Sequence, residues 1–252
     1  MGLEIDRIYQ GDCLDLMREI PDGTIDAIVT DPPYSSGGMY RGDRAQATGS
    51  KYVSNPHAYP DFPGDGRDQR SFYAWCTLWM AQCWRVAKQG AIFACFTDWR
   101  QLPTITDAFQ GAGWIWRGVF VWDKTEAVRP QLGQYRNQCE YVVWGTKGAN
   151  NSDIRKVVPG VFRGRTVPPT RRIHQTEKPV DLIETLLQIV PEGGTVLDPF
   201  MGSGTTAVAC AHTGRHFLGF EMHPGYYEMA TRRITEASAQ QTLFPAVEEG
   251  EA

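Results

Sequence analysis

Residues 195–207 read TVLDPFMGSGTTA. A short apolar run ends on Asp198 and enters a glycine turn, and a small-residue stretch then continues to Gly214. This is the pattern of a strand, a tight turn and a helix. The spacing Gly202-x-Gly204-x-x-Ala207 satisfies the dinucleotide fingerprint. The next apolar run, 216–221, ends on Glu221, 17 residues past Gly204, near where a ribose-binding acid belongs. Glycines let a ligand come close to the backbone, and a helix N-terminus offers it free N–H groups. No lysine follows the second glycine, so the turn is not a Walker phosphate loop.

Two ligand classes fit that turn, a nicotinamide or flavin dinucleotide and a nucleoside cofactor such as S-adenosylmethionine. Spacing does not decide between them. Asp198 does lean one way, because a carboxylate at the strand end suits a cationic amino group and repels a pyrophosphate.

Apolar runs rich in β-branched or aromatic residues recur along the chain. Seven strands are expected, at 5–9, 25–30, 91–96, 114–122, 140–146, 195–198 and 216–221. Helices are expected at 13–20, at 71–88 with an end near Gly90, after the glycine turn, and at 179–190. In the last of these, Pro179 takes a first-turn position and Val180, Ile183, Leu187 and Val190 share a face. Strands alternating with helices predict a mostly parallel sheet covered on both sides. Two stretches, 35–70 and 148–174, carry no usable period and read as excursions from the rim of one domain.

The run 25–30 ends in Asp31-Pro32-Pro33-Tyr34. Two prolines cannot continue a ladder, so the chain leaves the sheet here with a stiff backbone. Ser35-Ser36-Gly37-Gly38 then reads as a hinge for the long loop that follows.

Composition narrows the setting. The chain has 252 residues, 42% of them hydrophobic and 21% charged, which suits one folded α/β domain rather than disorder. No apolar run is long enough for a membrane span, and acids stand where a signal peptide would be basic and then apolar, so a cytoplasmic protein is expected. Six cysteines without C-x-x-C spacing read as reduced, mostly buried thiols, and no zinc site is expected. The net charge is −4, yet residues 155–178 hold seven Lys/Arg against Glu177 alone. Any nucleic-acid partner must be held by such a local patch. The tryptophans Trp75, Trp79 and Trp84 read as core or subunit contacts.

Asp31-Pro32-Pro33-Tyr34 and Asp198-Pro199-Phe200-Met201-Gly202-Ser203-Gly204-Thr205 together resemble the catalytic tetrapeptide and cofactor loop of the DNA amino-methyltransferases. That family methylates adenine N6 or cytosine N4. Thr176-Glu177-Lys178-Pro179 is similar to the element preceding its cofactor loop. Gly11-Asp12-Cys13-Leu14 is similar to the segment bordering the cofactor's adenine, and Glu221 with Pro224-Gly225-Tyr226-Tyr227 to the ribose-contacting strand end and next helix. With the catalytic motif first and the cofactor loop last, the order resembles the family's β-type arrangement, over most of residues 5–236.

The resemblance implies a Rossmann-like, doubly wound, seven-stranded fold in a single catalytic domain over 1–252, with a frayed tail at 237–252. It implies S-adenosylmethionine as cofactor and double-stranded DNA as substrate, with base flipping. A restriction-modification setting and a homodimer also fit it. Asp31, Pro32, Pro33 and Tyr34 take the catalytic roles. Asp12, Cys13, Asp31, Lys178, Asp198, Phe200, Gly202, Ser203, Gly204, Thr205, Thr206 and Glu221 surround the cofactor. Arg163, Arg165, Arg171, Arg172 and His174 are the expected DNA contacts. Asp at the head of the tetrapeptide points to adenine N6, with cytosine N4 as the alternative. A dinucleotide-dependent oxidoreductase would explain the glycine turn and leave residues 31–34 without a task. Family members usually carry a larger recognition region where this chain has only 148–174, so specificity is expected to be relaxed or shared with the loop 35–70.

Overall fold

The computed structural model describes residues 2–35, 67–128, 130, 132–150, 154–168 and 177–243. Among them are eight strands: β1 (Arg7–Gln10), β2 (Ile25–Thr30), β3 (Ala87–Thr97), β4 (Ile115–Asp123), β5 (Cys139–Thr146), β6 (Val161–Arg163), β7 (Thr195–Asp198) and β8 (His216–Glu221). The helices are α1 (Cys13–Leu16), α2 (Gln69–Val86), α3 (Leu102–Gly111), α4 (Val180–Leu187), α5 (Thr205–His212) and α6 (Pro224–Leu243). One mixed sheet runs in the order β1-β8-β7-β2-β3-β5-β4-β6. Only β5 opposes its neighbours β3 and β4, and the other pairings are parallel.

The seven expected strands all form. The eighth, β6, lies inside the stretch 148–174, where three residues are too few to set up a period, and it pairs with β4. The helix expected over 71–88 starts at Gln69 and stops at Val86, and β3 begins at once with Ala87. Gly90, with φ 80°, therefore lies within a strand rather than at a helix end. Pro179 is the N-cap of α4, not a first-turn residue. Helix α3 is an addition to the expected set.

Sheet pleat divides the core. Phe93 and Cys95 of β3 face a cluster with Met17, Phe72, Trp79 and Phe109, beneath α1, α2 and α3. Ile92, Ala94 and Phe96 face the opposite cluster with Ile183, Leu187, Ala207 and Ala230, beneath α4, α5 and α6. Burial on both faces explains why β2 and β3 read as continuous apolar runs. All six thiols are free, and five are buried. No helix among the described residues is long and apolar enough to cross a membrane.

From β2 the chain moves to β3 on one side, and from β7 it moves to β8 on the other. The strand order therefore reverses between β2 and β7. In open α/β sheets such a reversal opens a crevice at the carboxyl ends of the strands, where ligands bind.

Candidate active site at the carboxyl edge of the sheet

Four parallel strands deliver the expected residues to that edge. β2 leads into Asp31, β7 ends on Asp198, β8 ends on Glu221, and β1 leads through Gly11 to Asp12. The Thr30 hydroxyl donates to Asp198 Oδ1 at 2.6 Å, so the tetrapeptide and the glycine loop are fastened across the β2/β7 crevice.

The glycine loop is built around two buried carboxyls. Asp198 also accepts the Thr206 hydroxyl at 2.6 Å and the Phe200 N–H at 3.0 Å. Burial pushes its pKa up to about 6, against the pull of those donors. Asp198 is only 3% exposed, and its three bonds set the path of the loop. Glu221 accepts the Gly202 N–H at 2.9 Å and the His223 N–H at 2.7 Å, and burial raises it to about 7. Gly204 caps α5 with φ 84°, and a Cβ there would stand 3.2 Å from the Ala230 backbone. Only glycine takes that conformation without strain. Arg233 of α6 braces the loop, pairing with Glu177 at 2.9 Å and donating to the Thr205 hydroxyl at 3.1 Å and the Ser203 carbonyl at 3.3 Å. Phe200 packs on Trp75 and Trp79, with ring centroids 5.4 and 5.1 Å away, so those tryptophans support the loop as well as the core. Asp12 caps α1 by accepting the Leu14 N–H at 2.8 Å, and burial raises the neighbouring Cys13 thiol to about 12.

Glycines without Cβ atoms, a strand-end carboxylate and a preformed helix start fit a nucleoside cofactor. Glu221 has acceptor capacity for ribose hydroxyls, while the loop backbone, Phe200 and Asp12 border the same edge.

The tetrapeptide is held just as firmly. The Tyr34 hydroxyl donates to Asp31 Oδ1 at 2.6 Å, and Lys178 Nζ donates to Asp31 Oδ2 at 2.6 Å. Lys178 is almost enclosed and also pairs with Glu140 at 3.2 Å. Glu140 in turn accepts Lys124 Nζ at 3.0 Å. Burial raises the Asp31 carboxyl despite the pull of Lys178, and burial with both carboxylates raises Tyr34. Burial opposes ionisation of Glu140, yet the Lys178 and Lys124 ammoniums lower it to about 2. After Tyr34 the chain turns left-handed at Ser35, φ 50°, whose hydroxyl accepts the Arg67 N–H at 3.4 Å. Residues 36–66, most of the long loop, lie outside the described residues.

The strands β4 and β6 end at this same edge, so Arg163 lies on the rim. It pairs with Asp123 at 3.5 Å and Glu126 at 3.2 Å, while Arg165 is exposed. Arg171, Arg172 and His174 lie outside the described residues. Glu140 and Lys124 are absent from the sequence reading. Glu140 sits 109 positions from Asp31, and only the placement of β5 against β3 brings them together.

A family profile described as DNA methylase matches residues 25–232. YubD of Escherichia coli (strain K12), named as a methylase, is 29% identical over 230 residues, covering 90% of this chain and 89% of YubD. Among solved structures, the M1.HpyAVI complex with S-adenosylmethionine shares the fold with a TM-score of 0.65 at 22% identity, over 90% of this chain and 98% of that one. The cytosine-N4-specific PvuII DNA methyltransferase does so at 0.69 and 16%, over 95% and 93%.

Proposed function

The chain belongs to the DNA methylase family that modifies N6 and N4 amines, and we propose that within it the protein methylates adenine N6 in double-stranded DNA. Membership removes the oxidoreductase reading, which also leaves residues 31–34 idle. The observation that carries methyl transfer is the junction across the β2/β7 crevice, where Thr30 and Asp198 fasten the tetrapeptide to the glycine loop at 2.6 Å, while adenine over cytosine rests on Asp31 at the head of the tetrapeptide. The groups suited to a target amine and those suited to a cofactor thereby share one rim. We take residues 1–252 as one catalytic domain.

An exocyclic amine is a weak nucleophile because its lone pair is delocalised into the ring. Asp31 Oδ and the Pro32 carbonyl accept its two hydrogens, which favours pyramidal nitrogen and places negative charge where positive charge develops. When bound, S-adenosylmethionine would supply the methyl group on a sulfonium, whose departure as a neutral thioether would balance the new N–C bond. Asp31 also offers a carboxylate to the proton that the methylated nitrogen then sheds. The two prolines hold these acceptors stiffly, so alignment supplies much of the rate. Tyr34 offers a ring to the extruded base, whose stacking recovers roughly 1–3 kcal/mol of the unstacking cost. Glu221 accepts from the cofactor's ribose, and Asp198 shapes the loop around its methionine part. Arg163, Arg165, Arg171, Arg172 and His174 remain the candidate phosphate contacts.

The test incubates purified protein with labelled S-adenosylmethionine and unmethylated DNA, followed by digestion to nucleosides. Label in N6-methyladenosine is expected, and label in N4-methylcytosine transfers the proposal to the other base. Label in no nucleoside overturns it. Asp31→Ala abolishes transfer and keeps cofactor affinity within a few-fold of wild type; near-full activity in that variant refutes the acceptor role.

A further inference from the structure

The Asp31 carboxylate raises a difficulty, because both of its oxygens already hold a protein donor. Tyr34 occupies Oδ1 at 2.6 Å and Lys178 occupies Oδ2 at 2.6 Å. A full positive charge so close drains an acceptor's electron density, and the incoming amine needs that density. Lys178, however, does not belong to Asp31 alone. Its ammonium also reaches Glu140 Oε2 at 3.2 Å and the Tyr34 oxygen at 3.3 Å. An ammonium has three donors, and these three acceptors match them. Its charge also lies near the rings of Tyr34 and Phe96, at 5.5 and 5.2 Å.

Glu140 is anchored independently. It stands near the start of β5, the strand that runs against its neighbours, so its backbone enters the rim from the side opposite β2. Lys124, at the end of β4, holds its other oxygen at 3.0 Å. Two carboxylates and two ammoniums therefore alternate in one row: Asp31, Lys178, Glu140, Lys124. The other titratable groups acting on Asp31 or Tyr34 are Asp198 from β7 and the Cys95 thiol from β3.

We propose, on the methyltransfer reading above, that Glu140 is a positioning residue that draws Lys178 off Asp31 when the target amine arrives, restoring Asp31 as an acceptor. The ammonium needs to shift only from a 2.6 Å contact toward one now at 3.2 Å. Net charge in the row stays unchanged, so the exchange strands no buried ion. Glu140 touches neither substrate nor cofactor and acts through Lys178.

Glu140→Gln keeps the shape and removes the competing charge. Asp31 is then the only carboxylate on Lys178, and it loses a like-charged neighbour. Both effects favour ionised Asp31, so its titration moves to lower pH. The expected single-turnover methyl-transfer rate falls about tenfold, a part of the roughly 100- to 10,000-fold that a positioned proton acceptor contributes. The acid limb of its pH profile shifts about one pH unit downward, a change that loosened structure alone would not produce. Cofactor Kd stays within about twofold. In a Lys178→Met background, adding Glu140→Gln has little further effect on the rate, since the charge to be shared is gone. An unshifted acid limb in a folded, cofactor-binding Glu140→Gln protein overturns the inference, and so does full additivity with Lys178→Met. Absence of any transfer by the wild-type protein overturns the methyltransfer reading instead.

Discussion

Glu221→Gln isolates a titrating contact in the proposed cofactor site. In the wild type, burial holds this carboxyl at about 7, above the ordinary glutamate range. Ribose hydroxyls donate best to the ionised form, whose oxygens only accept, and the protonated form is taken as non-binding. Below pH 7 the empty site is mostly protonated, and each further pH unit weakens cofactor binding about tenfold. At pH 5.5 the affinity is then about 30-fold below its plateau above pH 8, with the midpoint taken from that value. Apo stability changes in the opposite direction. Between the ordinary glutamate pKa and 7 the folded protein binds more protons than the unfolded chain, so this group's contribution declines as pH rises through that window. Gln cannot titrate, and its amide leaves either the Gly202 or the His223 N–H without an acceptor, costing roughly 1–3 kcal/mol. That cost falls on stability; the missing charged acceptor for the ribose separately weakens the variant's binding about 10- to 100-fold above pH 8. Its pH profile is nearly flat, apart from a slope below pH 6 that belongs to Asp198. Calorimetric titration with S-adenosylmethionine from pH 5.5 to 8.5 measures both proteins. A flat wild-type profile, or a variant that keeps the wild-type slope near pH 7, overturns the role given to Glu221.

Two further substitutions probe the loop. Gly204→Ala forces a Cβ onto a left-handed residue 3.2 Å from the Ala230 backbone, and the cost is about 1–2 kcal/mol. Scanning calorimetry should record a Tm lower by about 2–8 °C, and an unchanged Tm removes the claim of strain. Thr206→Val deletes a 2.6 Å donor to buried Asp198 and costs roughly 1–3 kcal/mol. Because the lost bond lowers the Asp198 pKa, the penalty is larger at pH 8 than at pH 5, where the carboxyl is neutral in either protein. Urea denaturation at the two pH values checks this, and equal penalties contradict the role given to the ionised form.

Much of the site was legible because its signals are local. Gly202, Gly204 and Asp198 fall within seven consecutive residues, and the conformations they need are encoded in their own chemistry. The two prolines after Asp31 announce the strand exit in the same way. Apolar runs mark seven strands, most plainly β2 and β3, whose burial on both faces leaves little polar interruption. β6 stayed hidden because three residues carry no periodicity, and its pairing with β4 supplies the order. The end of α2 was misplaced because Gly90 resembles a helix stop, while β3 takes up Ala87 as soon as the helix ends.

The sequence alone determined the strand-turn-helix around Gly204, the rigid exit after Thr30 and the family resemblance, all of them properties of neighbouring residues. It could not determine which carboxylates share an ammonium. Asp31, Lys178, Glu140 and Lys124 come from four separate segments, and nothing local marks Glu140 among the other acids. β5 runs against β3 and β4 and so starts at the catalytic edge, which puts Glu140 within 3.2 Å of Lys178. Once buried there, neither charge is stable without the other, and that mutual requirement exists only in the folded sheet.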